Sequence, residues 1–144
     1  DAAREMIEIA KERAATAGCD NVAFAVAAAA RIEAPDAAFD AVLAFNLLHL
    51  VPDRGATFKE VRRLLKPGGL FISKTPALNE MNRMIRWAVP LMQFVGKAPS
   101  VGFFSGAGLE SEIENAGFAI VERARHGSTR KDPRVFIVAR KTEA

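Results

Sequence analysis

The stretch Asp40-Ala-Val-Leu-Ala-Phe-Asn-Leu-Leu-His49, with Leu64-Leu-Lys-Pro-Gly-Gly69 after it, decides the fold of this chain. An apolar, β-favouring run comes first, and a helical pattern, a turn signal and a second apolar run follow it, which together predict strand, helix, turn and strand. In an open α/β sheet, ligands bind in the crevice outside the carboxyl ends of the strands. Because Asn46 and His49 follow the first strand, we expect them to lie where a ligand would be held.

Length and composition favour one globular domain over residues 1–144. Half of the residues are hydrophobic and 26% are charged, with both signs interspersed, which argues against long disorder. Apolar stretches are broken by charges, and none reaches the roughly 20 residues that a transmembrane helix needs. We therefore expect no stable membrane insertion.

Charge and cysteine content bear on nucleic-acid binding and on the redox compartment of the protein. The net charge is +3, and the chain has one cysteine, Cys19. The basic residues gather on one helix face (Lys59, Arg62, Arg63 and Lys66) and between residues 123 and 141. These groups lack interleaved aromatic residues, so we expect solvated surfaces rather than a nucleic-acid footprint. A lone cysteine with no metal-ligand partner nearby favours a reducing cytoplasm.

Strand and helix patterns alternate along the chain. Helices are predicted over 5–17, after Pro52 and Asp53, and over 105–116, and strands over 22–26, 41–45, 70–73, 118–121 and 135–138. The strand over 41–45 is apolar on both faces, as buried parallel strands are. This alternation predicts a mainly parallel sheet that is covered by helices on both faces.

Residues 79–104 interrupt the alternation. Met81 and Met84 belong to a helical pattern rich in methionine, and Trp87, the only tryptophan, lies in the same stretch. Flexible thioethers after a strand's carboxyl end suit a lid over an apolar substrate, so these three side chains are candidate substrate contacts. The same pattern also fits a helix packed on the sheet or on a second subunit of a homodimer, or an amphipathic helix on a membrane surface.

The usual catalytic constellations are absent from the sequence. The two histidines, His49 and His126, have no nucleophile signature near them, and no metal-binding pair or phosphate-cradling loop is present. The chemistry is therefore expected to be carried by a bound cofactor, without a metal.

Several segments together resemble class I S-adenosylmethionine-dependent methyltransferases, most closely the small-molecule branch that includes the methyltransferases of quinone biosynthesis. They are Asp1 with Met6, Phe24-Ala-Val-Ala-Ala-Ala29, Phe39 to His49, Arg63-Leu-Leu-Lys-Pro-Gly-Gly-Leu-Phe71, Phe104-Ser105 and Glu114-Asn-Ala-Gly-Phe118. The resemblance implies a Rossmann-like, doubly wound, mostly parallel sheet with an antiparallel C-terminal strand. The family's first strand and its glycine-rich loop would lie upstream of Asp1. We therefore expect either a fragment of a longer protein or another segment or subunit that fills the gap in the sheet.

The resemblance also implies cofactor contacts. Asp1 matches the acidic residue that accepts the ribose hydroxyls, and Met6 matches an apolar residue near the adenosine. Where the family usually has an aspartate that accepts a hydrogen bond from the adenine amino group, this chain has Ala28, while Ala29 still offers its backbone amide. Asn46 and Leu47 would line the methionine end of S-adenosylmethionine.

His49 occupies the family's frequent histidine position just after this strand. It would face the substrate and take a proton from a substrate hydroxyl, or it would cap the loop structurally. The implied function is methyl transfer to an oxygen, nitrogen or carbon of an apolar small molecule. The alternative is a non-catalytic methyltransferase-like binding or scaffold domain. A nicotinamide dehydrogenase fits less well, because the glycine fingerprint and any tyrosine are missing.

Overall fold

The computed structural model describes residues 3–77, 102, 104–125 and 134–143. In chain order the elements are α1 (Arg4–Thr16), β1 (Phe39–Phe45), α2 (Arg54–Leu64), β2 (Leu65–Pro76), α3 (Gly106–Asn115), β3 (Phe118–Ala124) and β4 (Arg134–Lys141). The four strands form one sheet in the order β1-β2-β4-β3. β1 pairs parallel with β2, whereas β4 pairs antiparallel with both of its neighbours. Three strands therefore run one way and the C-terminal strand runs the other, which confirms the predicted fold class.

Local signals set the ends of the helices. The Asp53 carboxylate accepts a hydrogen bond from the Ala56 amide at 2.9 Å and begins α2. The Ser105 hydroxyl accepts one from the Gly108 amide at 3.1 Å and begins α3. These side chains satisfy amides that the first helical turn leaves unpaired. Gly117, at φ 86°, follows α3 and lets the chain leave the helix in a left-handed conformation.

The predicted turn at Pro67-Gly68-Gly69 lies inside β2. Phe39 is paired with Leu65, but Ala41, only two residues later, is paired with Leu70. The three residues therefore belong to a bulge-like irregularity of β2, an excursion from regular pairing with β1. Gly68 adopts φ 71° within it. After this excursion β2 pairs regularly with β1, and the two carboxyl ends lie side by side.

The core lies between the sheet and the helices α2 and α3. Phe58 of α2 meets Phe71 of β2 edge to face at 5.9 Å between ring centroids, and Phe71 meets Phe118 of β3 at 5.8 Å. Fully buried aliphatic residues surround these rings, among them Leu48, Leu65, Leu109, Ile113 and Ile137. One face of the sheet is thus closed by the two helices.

The opposite face of β1 corrects the expectation of a strand buried on both faces. Leu43 is 58% exposed and Phe45 is 53% exposed, while Ala44, pointing the other way, is buried. Successive side chains of a strand point to opposite faces, and α2 and α3 both pack on the Ala44 face. Within the part of the chain that the structure describes, the face of β1 that carries Leu43 and Phe45 therefore remains largely uncovered.

The predicted strand over 22–26 was wrong. This segment has no strand pairing, and Val22 and Val26 are 50% and 46% exposed. A strand exists only where a neighbour takes its backbone hydrogen bonds, and within the described residues no strand lies beside this one. α1 is also loosely held, since Ile7 is its only buried residue.

Among the described residues, no helix combines the length and apolarity required to cross a lipid bilayer.

Candidate functional site

The candidate site is the crevice at the carboxyl ends of β1 and β2. Asn46 directly follows β1, and its amide donates a 2.8 Å hydrogen bond to the Lys74 carbonyl of β2. Asn46 has φ 52°, a left-handed conformation that asparagine tolerates better than most residues. The backbone thus turns sharply away from the sheet here. The Asn46 side chain is exposed at that turn, with no hydrogen bond to it from the described residues.

His49 lies in the short turn that follows. Its Nδ1 atom is 3.0 Å from the Oγ1 atom of Thr75, which is fully buried near the end of β2. Burial lowers the pKa of the His49 imidazole below its ordinary value of 6.5, because the charged form loses hydration. The neutral form of the ring therefore predominates at pH 7. In the tautomer with the proton on Nδ1, Thr75 accepts that proton's hydrogen bond and Nε2 keeps a basic lone pair.

Backbone hydrogen bonds fix this turn from two sides. The Leu50 amide donates to the Leu47 carbonyl at 2.8 Å, which closes the turn. The Gly102 amide donates to the His49 carbonyl at 2.8 Å, which ties the turn to the chain just before α3. The Leu47 side chain in this turn is half-buried. Three of the predicted site residues, Asn46, Leu47 and His49, are thus brought together in one held loop.

The two predicted adenine contacts lie in a separate turn. The Arg31 amide donates to the Ala28 carbonyl at 3.0 Å, so Ala28 and Ala29 stand at a reversal of the chain. Ala28 is exposed and Ala29 is half-buried. No hydrogen bond within the described part of the chain uses the Ala29 amide, and none links this turn to the Asn46 loop.

Arg63 of α2 holds the chain that follows this turn. All five of its N–H groups have acceptors: both carboxylate oxygens of Glu60, the Asp36 carboxylate, and the carbonyls of Ile32 and Ala34, at 2.7–3.0 Å. Glu60 also accepts a 2.8 Å hydrogen bond from the Ile32 amide. The expectation of a solvated basic helix face is therefore wrong for Arg63. A glutamate three residues before an arginine on a helix was the signal that could have revealed this pair.

The Glu60–Arg63 pair predicts a pH-dependent stability. Hydrogen bonding to Arg63 lowers the pKa of Glu60 from 4.5 to about 2. A carboxylate with a depressed pKa stabilises the fold above its unfolded-state value, and the contribution is lost as the pH falls toward its folded-state value. We expect the free energy of unfolding, measured by urea denaturation, to fall between pH 4.5 and pH 2, with a shallower fall in Glu60→Gln.

The matched control is Glu8→Gln, because the Glu8 carboxylate pairs with Lys11 on the exposed surface of α1. This variant should keep the wild-type pH dependence. Equal slopes for wild type and Glu60→Gln below pH 4.5 would contradict the assignment.

A groove of about 780 Å³ between α2 and α3 lies apart from this crevice. Arg54, Phe58 and Glu112 are among its lining residues, and none of the predicted site residues lines it. Arg54 and Glu112 are paired with each other there. The groove thus belongs to the helix layer and not to the strand ends.

The remaining predicted site residues are not in the crevice or are not described. Met6 is on α1 and is 54% exposed. Asp1, Met81, Met84 and Trp87 lie outside the described residues. The same holds for the whole predicted lid over 79–104, except Gly102 and Phe104. Sequence reasoning missed Thr75 and Gly102, whose contacts with His49 depend on the folded chain.

Comparison with known proteins gives a consistent family. A family model described as a methyltransferase domain matches residues 1–115. Over 66 residues the chain is 41% identical to 27-O-demethylrifamycin SV methyltransferase of Amycolatopsis mediterranei (strain S699), covering 45% of this chain and 24% of that protein. Over 67 residues it is 34% identical to Methyltransferase GfsG of Streptomyces halstedii, covering 46% and 24%. The matched stretch thus spans about a quarter of either curated relative.

Solved structures show the same fold at low sequence identity. A SAM-dependent methyltransferase from Methanosarcina mazei superposes with a TM-score of 0.78 at 22% identity, covering 100% of this chain and 81% of that one. The [4+2]-cyclase SpnF superposes with a TM-score of 0.77 at 19% identity, covering 99% and 65%.

Proposed function

The chain belongs to the methyltransferase-domain family, and from this premise we propose that it transfers a methyl group from S-adenosylmethionine to a hydroxyl oxygen of an apolar small molecule. The observation that carries the proposal is the His49 loop at the carboxyl ends of β1 and β2. A neutral histidine held there by Thr75 suits the removal of a proton from a hydroxyl group. The name of one curated relative also specifies an oxygen acceptor, the 27-O position of demethylrifamycin SV.

The described residues fit one end of the cofactor better than the other. The exposed Asn46 carboxamide offers a donor and an acceptor that suit the zwitterionic methionine end, and half-buried Leu47 supplies an apolar wall. At the adenine end, the Ala29 amide can donate to a ring nitrogen. Ala28 has no side-chain acceptor for the adenine amino group. We therefore expect binding, but weaker than a carboxylate at residue 28 would give.

S-adenosylmethionine, when bound, supplies a methyl group already activated by its sulfonium. The chain would then need to position the acceptor in line with that methyl group and exclude water. In our proposal Asn46 and Leu47 orient the cofactor, and His49 takes the acceptor's proton. Because the cofactor supplies the activated methyl group and the chain supplies only positioning and a base, no elaborate catalytic constellation is needed in the sequence.

We further propose that residues 79–104 form a cap over the substrate. The support is the methionine-rich pattern that includes Met81 and Met84, the single tryptophan Trp87 in the same stretch, and the position of the segment between β2 and α3. Because Trp87 is the only tryptophan, its fluorescence during titration with quinones and phenols reports on this segment alone. An unchanged spectrum at saturating ligand would favour the packing role.

Calorimetric titration with S-adenosylmethionine and S-adenosylhomocysteine tests the proposed function directly. Saturable binding, with transfer of a radiolabelled methyl group to members of a phenol and hydroquinone panel, is the expected result. Binding without transfer to any acceptor would favour the scaffold alternative. No heat at millimolar ligand would contradict the enzyme function.

Substitution of Ala28 by aspartate should tighten cofactor binding. A new hydrogen bond to a charged group contributes about 1.5–3 kcal/mol, which lowers the Kd for S-adenosylhomocysteine by about 10- to 100-fold. Ala28 is exposed, so the larger side chain has room. Calorimetry on the wild type and Ala28→Asp checks this expectation.

Two controls make the Ala28→Asp result specific. Ala30→Asp adds the same charge at another exposed position nearby and should leave the Kd within about twofold. The inosine analogue of the cofactor carries a carbonyl where adenine has its amino group, so Ala28→Asp should not bind it more tightly. Equal gains for both cofactors would mean that residue 28 does not face the amino group.

A non-catalytic binding or scaffold domain remains the second candidate. The missing acceptor at Ala28 favours it, because an enzyme needs enough affinity for its cofactor, and a hydrogen bond to the adenine amino group would supply part of that affinity. A solved neighbour of the same fold is named for a cyclisation, and a fold alone does not specify a reaction. The calorimetric and radiolabel assays above separate this candidate from the enzyme.

A further inference from the structure

Arg54, the first residue of α2, contacts both α3 and the chain just before it. Arg54 donates two hydrogen bonds to the Glu112 carboxylate, from Nε and from Nη2, each at 2.7 Å. Its guanidinium carbon also lies 4.8 Å above the ring centroid of Phe104, which is buried in the core. A planar cation that is both bidentate and stacked has a well-defined position, which lysine could not reproduce.

Gly102 packs against the same guanidinium. A Cβ atom on Gly102 would be 2.6 Å from the Arg54 Nη1 atom, so the Gly102 backbone lies directly against the guanidinium. The amide of Gly102 donates to the His49 carbonyl at 2.8 Å. Arg54 thus packs against the residue that donates this hydrogen bond. Among the described residues, it is the one backbone hydrogen bond between the His49 turn and the chain preceding α3.

These contacts form a continuous chain of support. Glu112 of α3 orients Arg54, Arg54 confines Gly102, and Gly102 holds the His49 backbone. Thr75 holds the His49 ring from the β2 side. Hydrogen bonding to Glu112 raises the pKa of Arg54 above its ordinary value, so the guanidinium keeps its positive charge around neutral pH.

We propose that Arg54 is a positioning residue of the crevice, because its pair with Glu112 locks Gly102 against the backbone of the His49 turn. The residue does not touch the substrate in this proposal. It fixes the distance between the basic Nε2 atom of His49 and whatever occupies the crevice, and in its catalytic part the inference rests on the methyl transfer proposed above.

Hydrogen exchange of the Gly102 amide, measured by NMR on the full chain, tests the support directly and needs no ligand. We expect exchange about tenfold faster or more in Arg54→Ala, because the amide's hydrogen bond opens more often. Arg54→Lys should fall between this variant and the wild type. Glu112→Gln keeps the side-chain size and serves as the second variant if Arg54→Ala does not fold.

The matched control is Arg123→Ala. Arg123 pairs with Glu110 of α3 at 2.7 Å, but the arginine is exposed and lies on β3. Losing this pair should leave Gly102 exchange within about twofold of wild type, since exposed ion pairs contribute little. Unchanged Gly102 exchange in Arg54→Ala and in Glu112→Gln would overturn the proposal.

Methyl transfer provides the second readout. A positioning role predicts a lower kcat in Arg54→Lys and Glu112→Gln, by about tenfold, with the cofactor Kd unchanged. Faster Gly102 exchange with an unchanged kcat would reduce Arg54 to a purely structural residue and overturn its role in positioning. If the wild type itself transfers no methyl group, the proposed function fails, and Gly102 exchange still decides whether Arg54 holds the turn.

Discussion

Replacing Phe71 by alanine is expected to lower the free energy of unfolding by about 3–5 kcal/mol. Phe71 is fully buried in β2 and its ring contacts Phe58 on one side and Phe118 on the other. Its cross-strand neighbour on β4 is Ala139, which is too small to fill the vacated volume. The variant would therefore lose the transfer free energy of the ring and leave a cavity where α2 meets the sheet.

Urea denaturation followed by circular dichroism measures this loss. Phe45→Ala is the matched control, because Phe45 lies at the end of the neighbouring strand but is 53% exposed. The control should cost well under half as much, since about half of its side-chain area is in water already in the folded state. Similar losses for the two variants would show that the core is not centred on Phe71.

The starts of α2 and α3 and the end of α3 could be predicted because their signals are local, whereas the turn expected to end α2 at Pro67-Gly68-Gly69 lies inside β2. Asp53 and Ser105 cap amides three residues later, and Gly117 takes a conformation that other residues avoid. Each signal depends on a few neighbouring residues, so it is legible without the rest of the fold. The strand–helix–strand unit from β1 to β2 follows for the same reason, because its apolar periods are uninterrupted.

Strand pairing and burial could be predicted less well because they depend on distant partners. Residues 22–26 have strand-forming composition, but composition cannot supply the neighbour that completes a hydrogen-bonded ladder. Leu43 and Phe45 read as buried for the same reason: an apolar run shows that a strand could be covered on both faces, not that it is. The order of the strands decides the first outcome, and the packing of α2 and α3 on the Ala44 face decides the second.

The candidate site shows the same division. Asn46 and His49 were placed at the crevice by a topological rule that needs only the strand to be identified. Their supports could not be found in this way, because the His49–Thr75 contact spans 26 residues and the Arg54–Glu112 pair spans 58. Such contacts arise when β2 and α3 come beside the loop, and a single sequence carries no trace of them.

Replacing His49 by asparagine is expected to lower kcat for methyl transfer by about 100-fold or more, the usual contribution of a general base. Asparagine can place its amide near the position of Nδ1 and keep the contact with Thr75, but it has no basic atom in place of Nε2. A histidine that merely caps the loop would therefore tolerate this change. The cofactor Kd should stay within about twofold, because the base contacts the acceptor.

The pH dependence distinguishes the base from the cap. Since burial lowers the pKa of His49 in the ligand-free chain below 6.5, kcat/KM should decline as the pH falls through that lowered value and the ring becomes protonated, and it should level off on the alkaline side. His49→Asn should lack this acid limb.

Thr75→Val, which removes the orienting hydrogen bond, should lower kcat by about 2- to 10-fold. His126→Asn, the same change at the only other histidine, should have no effect, and equal losses at both histidines would contradict a specific role for His49.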